Sequence, residues 1–292
     1  MSEFVNTIDL LGDEVVTKAL VEKTIAEFND DVLTRVGNYA FYECSSLAGV
    51  NLPNATMVGE RAFQNCKSLT SVDMPNVTTV RSNGFDGCTN LARINMPNLT
   101  GLEGYVFQNC SSLARVDFPL VKGNLPFAFT GCSSLTSAKL RSATALSATF
   151  YKCSNLTEVD VPSVTQVGSA FKDCTSLAFV DLPIVTQIAS QAFYGCVSLK
   201  TIALRSTTLC TLSATDAFSG LNESTRTPFY QGGTGGTLLA PSALVENYKT
   251  ATNWSVIWGY GHNRFLALED YTVDGTITGE IDWDKLNGGT TA

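Results

Sequence analysis

The chain has 292 residues, 44% of them apolar and only 16% charged, with a net charge of −8 and a single histidine. No run of 18 apolar residues occurs, so no membrane-crossing helix is expected. Residues 1–31 carry −6, residues 262–292 carry −4 and the 230 residues between them carry +2, so there is no basic stripe for phosphate and nucleic acid is not expected as a partner.

In chain order, residues 13–23 read as a short amphipathic helix, with Val16, Ala19 and Leu20 on one side and acids in its first turn, where they suit the helix dipole. Ile25, Phe28, Leu33 and Val36 already fall in the register of the units that follow. Residues 1–34 are therefore expected to be an acidic cap, a helix plus a degenerate repeat over the open apolar end. The first residues lack the basic and apolar regions of a secretory signal, so either the protein is made without one or this sequence starts after it.

Residues 35–221 repeat one unit. Cysteines fall at 44, 66, 88, 110, 132, 153, 174 and 196, each with a phenylalanine three residues before it and a leucine three residues after it. A fixed period of 21 or 22 residues with L-x-x-V-x-L spacing is the mark of a leucine-rich solenoid. Val72 and Met74 alternate as in a strand, and such strands stack in parallel about 4.8 Å apart. A proline (Pro53, Pro75, Pro97, Pro119, Pro162, Pro183) ends the strand by removing a donor; Arg141 and Arg205 replace it in two units. The fold class expected is an α/β repeat solenoid, a leucine-rich-repeat-type curved array with one parallel sheet and a cap at each end.

In a parallel stack the cysteine side chains point the same way into the core, which predicts free buried thiols rather than disulfides. No C-x-x-C pair or second histidine supports zinc. Cys210 lies fourteen residues after Cys196, where other units carry Val58, Val80, Val167 or Ile188, and the same core slot is expected for it.

The unit A-F-x-x-C-x-S-L-x-x-V-x-[LM]-P-x-V-T-x-[VI] resembles the BspA-like leucine-rich repeats of bacterial and phage proteins, from Arg35 to Ser206. The resemblance implies surface adhesion and partner binding, with differing targets.

Residues 222–237 are polar and glycine-rich and read as a mobile loop. Leu238–Pro241 reads as a last strand and Ser242–Thr252 as a helix, so 238–268 resembles the family's strand-helix cap. Residues 269–292 form an acidic aromatic tail with a hairpin signal at Asp274-Gly275 and an end expected to be disordered. Trp258, Tyr260, Phe265, Tyr271 and Trp283 in this region are candidates for contact with another chain, a homo-oligomer included, because exposed tryptophan and tyrosine favour interfaces.

Catalysis finds no constellation: His262 is alone, and neither G-x-S-x-G nor HExxH occurs. No cofactor is implied. The outward strand positions, five and seven residues after each cysteine, are the more informative feature. They supply the ligand-face candidates Asp73, Arg93, Asn95, Arg115, Asp117, Glu158, Asp160, Phe179 and Asp181, among which Asp73 and Asp117 can pair with neighbouring arginines. Calcium needs six to eight oxygens, more than Glu158, Asp160 and Asp181 offer, so no metal is expected. The N-x-S/T triplets at Asn54, Asn76 and Asn98 share one slot, which repetition explains without glycosylation.

The expected function is a non-catalytic recognition module for a protein or surface glycan. The acidic head and the D-G-T-I-T-G-E tail resemble those of signal-less phage proteins. That resemblance implies a virion component (tail, fibre or head-attached protein) that touches a host surface or another virion protein. The alternatives are a bacterial cell-surface adhesin and a purely structural assembly or decoration protein.

Overall fold

The computed structural model describes residues 26–220, 228, 229, 235–276, 278 and 280–286, and of Trp283 and Asp284 only the backbone. The helix expected at 13–23 and most of the glycine-rich loop lie outside the described residues.

The described chain is a solenoid of parallel strands with few helices. The strand after each leucine forms a first ladder. Its members Glu27–Asn29, Gly49–Asn51, Ser71–Asp73 and Arg93–Asn95 pair side by side, as do Arg115–Asp117, Ser137–Lys139 and Glu158–Asp160. Phe28 stands opposite Val50, so the degenerate first unit keeps the register expected of it. The middle residue of each strand faces the core and its two neighbours face out, as strand pleating requires.

A second ladder, absent from the sequence reading, runs along another edge of the coil. Arg35–Val36, Met57–Val58, Thr79–Val80 and Gly101–Leu102 pair in one group, and Gly123–Asn124 through Thr211–Leu212 in another. Each member is mostly two residues long, too short to show alternation in a sequence. Between the groups, Gly123 adopts φ +81° and the register shifts there, so Asn124 turns outward and Leu125 takes the core slot.

The core is three columns deep. Phenylalanine rings from Phe41 to Phe218 stack at 4.8–5.8 Å along the axis, and Phe229 extends the stack past Phe218 at 5.1 Å. Every cysteine is free and buried. From Cys66 to Cys196 each thiol also donates to a phenylalanine carbonyl of the preceding coil, as Cys66 Sγ does to Phe41 O at 2.9 Å and Cys132 Sγ to Phe107 O at 3.1 Å. The thiol thus satisfies a buried acceptor as well as filling space. Asn54, Asn76 and Asn98 do the same at the outer turn, donating to Asp31 O, Pro53 O and Pro75 O of the previous coil.

The last coils depart from the repeat. Two extra residues before the second-ladder strand put Leu212, not Cys210, opposite Ile188. Cys210 is held instead by the C-terminal region: its N–H donates to the Tyr248 hydroxyl at 2.9 Å, and Trp254 Nε1 donates to its carbonyl at 2.8 Å. The expected last strand is present as Thr237–Ala240, with a 3-10 turn Ser242–Leu244 and a helix Val245–Thr250 after it. A second short helix, Trp254–Gly259, and a further strand, Arg264–Ala267, were not legible; the latter pairs with Thr237–Ala240 and closes the first ladder. The hairpin signal at Asp274-Gly275 becomes a single antiparallel bridge, Thr272 to Ile281.

Candidate functional site

The outward residues of the first ladder form one face whose two ends differ. From Gly49 to Asp160 it is half or fully exposed. Beyond it the face closes by degrees: Phe179 and Asp181 are half-buried, and the outward positions of the next two strands are fully covered. Thr201 and Ala203 are buried, and Ala203, Leu239, Leu268, Ile281 and Leu286 form a second apolar cluster against which Phe179, Leu266 and Tyr271 pack.

The ladder is interrupted twice, after Arg93–Asn95 and after Glu158–Asp160. On the leading side of each break the core residue, Ile94 or Val159, is only half-buried, whereas Val116 and Val180 on the far side are buried. The first break is the wider: Glu158–Asp160 and Phe179–Leu182 still abut, but Arg93–Asn95 and Arg115–Asp117 stand apart. Phe118 sits there, its ring beside the stacked Phe107 and Phe129 at 5.9 and 6.4 Å. Other units have Leu52, Met74 or Leu140 in that slot. A groove of about 760 Å³ opens at this place, lined among others by Asn95, Arg115, Asp117, Lys139 and Glu158. A shallower depression of about 490 Å³ continues it past Asp73 and Arg93.

Of the ligand-face candidates, the groove and its extension bring together Asp73, Arg93, Asn95, Arg115, Asp117 and Glu158, and add Lys139 from the same outward column. The expected arginine pairs of Asp73 and Asp117 do not form. Asp73 accepts instead from Asn95 Nδ2 at 2.6 Å. On this face the arginines that pair are the two standing in the proline slot: Arg141 Nε lies 2.7 Å from Asp160, and Arg205 Nε 2.8 Å from Asp181. Among the described residues, Arg93, Arg115, Asp117, Lys139 and Glu158 belong to no ion pair, so the groove presents charges of both signs that are not committed to one another.

Asp160, Phe179 and Asp181 lie outside the groove. Asp181 is half-buried: burial raises its carboxyl above its ordinary value even though Arg205 pulls it down. Phe179 packs on the tail cluster. No group of three metal-ligating side chains exists among the described residues, and no helix among them is long and apolar enough to cross a membrane.

The C-terminal aromatics fold back on the chain. Phe265 is buried, its ring 6.2 Å from Trp254 and 5.3 Å from Trp258. Trp258 is half-buried with Lys249 Nζ 4.8 Å above its ring, and Tyr260 lies against the same core. Tyr271 packs on the tail cluster, and Trp283 opens the helix Trp283–Leu286. Asn263, next to the lone His262, is buried: it donates to Phe229 O and Ile257 O and accepts from Gly236 N–H, tying the end of the loop to the cap. Sequence reasoning missed Lys139 as a groove residue because nothing in the pattern marks where the ladder opens.

Three solved structures illustrate what the chain is similar to. A leucine rich cell surface protein from Faecalibacterium prausnitzii is 23% identical over 59% of this chain, with a TM-score of 0.36; this chain spans 57% of that protein's length. The leucine-rich repeat protein of T. pallidum is 25% identical over 52% of this chain and 72% of its own (TM-score 0.39). A leucine-rich repeat protein from Bacteroides ovatus is 23% identical over 83% of this chain and 84% of its own (TM-score 0.30). No curated protein matches the chain. The BspA type leucine rich repeat region matches in six copies over residues 24–136, 76–169 and 144–231, which together span well over half of the sequence. With the repeat, the stacked parallel ladders and this match agreeing, the chain belongs to the BspA-type leucine-rich repeat family.

Proposed function

We propose that the chain is a non-catalytic recognition module that binds a protein partner along the open stretch of the first-ladder face, from Ser71 to Glu158. The observation that carries this reading is the groove of about 760 Å³ at the wider break, with Arg115, Asp117, Lys139 and Glu158 around it outside any ion pair. A rigid solenoid presents such a surface with little ordering cost, and unpaired charges of both signs suit a partner of complementary pattern. Leucine-rich repeat proteins bind other proteins or ligands, and membership of the family supports a binding role.

The setting we infer is a cell surface. The virion setting rests on the terminal segments, and the head of the chain is outside the described residues. Tail or capsid genes flanking the reading frame would favour the virion; a leader or wall anchor encoded with it would favour the adhesin. For a purely structural role the outer face needs no groove, so the same experiment tests it. Purified protein and an Arg115→Glu/Lys139→Glu variant are presented to a panel of immobilised extracellular proteins by biolayer interferometry. A ligand whose affinity falls tenfold or more in the variant, at an unchanged thermal midpoint, supports the reading. Ligands that bind both proteins equally contradict it.

A further inference from the structure

Away from the ladder face, the turn leading into each buried phenylalanine carries a second column that the repeat pattern does not explain. In the eight cysteine-bearing units the residue two before the ring is left-handed, with φ between +50° and +64°: Tyr39, Arg61, Asn83, Tyr105, Phe127, Ala148, Ser169 and Gln191. The turn itself has a structural purpose, since it aims the N–H at the next coil, as Tyr105 N does at Pro126 O and Phe127 N at Ser147 O. Asparagine suits that conformation, whereas a bulky aromatic residue there is an outlier. The backbone therefore does not ask for the rings of Tyr105 and Phe127.

Those rings stack on each other at 4.6 Å, 6° from parallel, with Tyr105 39% exposed. Tyr105 covers one face of Phe127. On the other side the column offers only the methyl of Ala148 and the hydroxymethyl of Ser169, and a depression of about 300 Å³ opens with Phe127 in its wall. Its rim holds Tyr151, Lys172 and Gln191. Lys172 Nζ donates to Gln191 Oε1 at 2.9 Å and lies 4.9 Å from the Tyr194 ring and 5.5 Å from Tyr151, so the ammonium is held in place by two rings and an amide. Two of its three donors and the Gln191 amide N–H₂ remain for a ligand. Lys152 adds a second cation at 5.1 Å from Tyr151.

We propose that this depression is a saccharide subsite for a pyranose carrying a carboxylate, a uronic acid unit of an acidic polysaccharide. A sugar ring lays its C–H face on the negative face of Phe127, while its carboxylate meets Lys172 and its hydroxyls meet Gln191. A peptide fits the place poorly. The backbone groups around it are already paired between coils, Phe127 N with Ser147 O and Ala148 N with Gly168 O, so no strand edge is on offer. The inference rests on the chain being a recognition module, but it uses a different face from the groove.

The test is isothermal titration with tri-galacturonate, its methyl-esterified form and a tri-glutamate peptide. Saturable binding of tri-galacturonate is expected, at least tenfold weaker for the methyl ester and absent for the peptide. Phe127→Ala and Lys172→Met should each weaken it at least tenfold at an unchanged thermal midpoint; Ala148 at the same turn shows that alanine is accommodated. Arg115→Glu/Lys139→Glu should leave it unchanged. No saturable binding, equal binding of ester and acid, binding of the peptide, or sensitivity to the groove variant would each overturn the proposal. A failure here leaves the protein-binding groove standing, because that is read out with other ligands and other residues.

Discussion

The two ends of the first-ladder face are built from the same positions of the same repeat, yet one is open and the other closed. Seven residues after their cysteines stand Asp73, Asn95 and Asp117 in the open stretch and Asp181 and Ala203 in the closed one. In the open stretch these side chains are exposed. In the closed stretch Ala203 is fully buried in a cluster with Leu239, Leu268, Ile281 and Leu286, and Asp181 is half-buried, its carboxyl raised by burial and lowered by the neighbouring Arg205. A repeat fixes which side of a strand meets the core. It says nothing of what a later, non-repeating segment lays over the other side.

The comparison predicts a core that is common to both stretches, and alkali is its strongest test. Burial pushes the thiols of Cys88, Cys110 and Cys132 in the open stretch, and of Cys153, Cys174 and Cys196 toward the closed one, above their ordinary value of 9.0. Cys210 is pushed up to about 12. These thiols stay neutral in the fold and ionise in the unfolded chain. Their contribution is therefore complete below pH 9 and is lost as pH rises toward the folded values, at about 1.4 kcal/mol per thiol per pH unit. Denaturant melts should show steep loss of stability from pH 9 upward, with a shallower slope in Cys132→Ala/Cys153→Ala. A flat profile would mean that the column is open to solvent.

Truncating the phenylalanine column should ignore the difference between the stretches. Phe107→Ala and Phe193→Ala should each cost about 3–5 kcal/mol, because both rings are buried between stacked neighbours. A cost below roughly 0.5 kcal/mol for either would remove that ring from the core.

Removing the cover should affect one end alone. A chain ending at Leu268 loses Ile281 and Leu286 and should be destabilised by about 2–4 kcal/mol, judged by the usual worth of a buried aliphatic side chain. Its groove ligand, where one is found, should still bind.

The smallest contrast is the most closely matched. Arg141 and Arg205 occupy the same slot and meet an aspartate of the same column, Asp160 in the following coil and Asp181 in the preceding one. The contrast lies in the arginines: 58% of the Arg141 side chain is accessible against 14% of Arg205, while Asp160 and Asp181 are similar at 34% and 27%. Arg141→Ala should cost under about 1 kcal/mol, and Arg205→Ala about 1–3 kcal/mol, since it strands a half-buried carboxylate. Equal costs would indicate that the tail does not cover Asp181.

Much of this architecture was legible from the columns. The phenylalanine, cysteine and leucine registers specify burial because only one side of each coil can face in, and the structure buries all three. The second ladder was not legible, since Thr79–Val80 and its neighbours are too short to alternate. The slot of Cys210 was misread because two inserted residues shift the register to Leu212 without breaking the apolar pattern. The groove was only half visible. Its charged residues stand out by position, but the break that gathers them comes from coils standing apart beside Phe118, a property of packing rather than of any single unit.

Hydroxyl-radical footprinting of the outward columns tests the central contrast most directly. Tyr105, an exposed aromatic on the turn side, serves as the internal standard. Phe179 and Leu239 should be labelled far more slowly than Tyr105 in the full chain, and Phe179 should approach the rate of Tyr105 once residues after Leu268 are removed. Equal labelling of Phe179 and Tyr105 in the full chain would contradict a covered end and, with it, the account of which stretch of this face is free to bind.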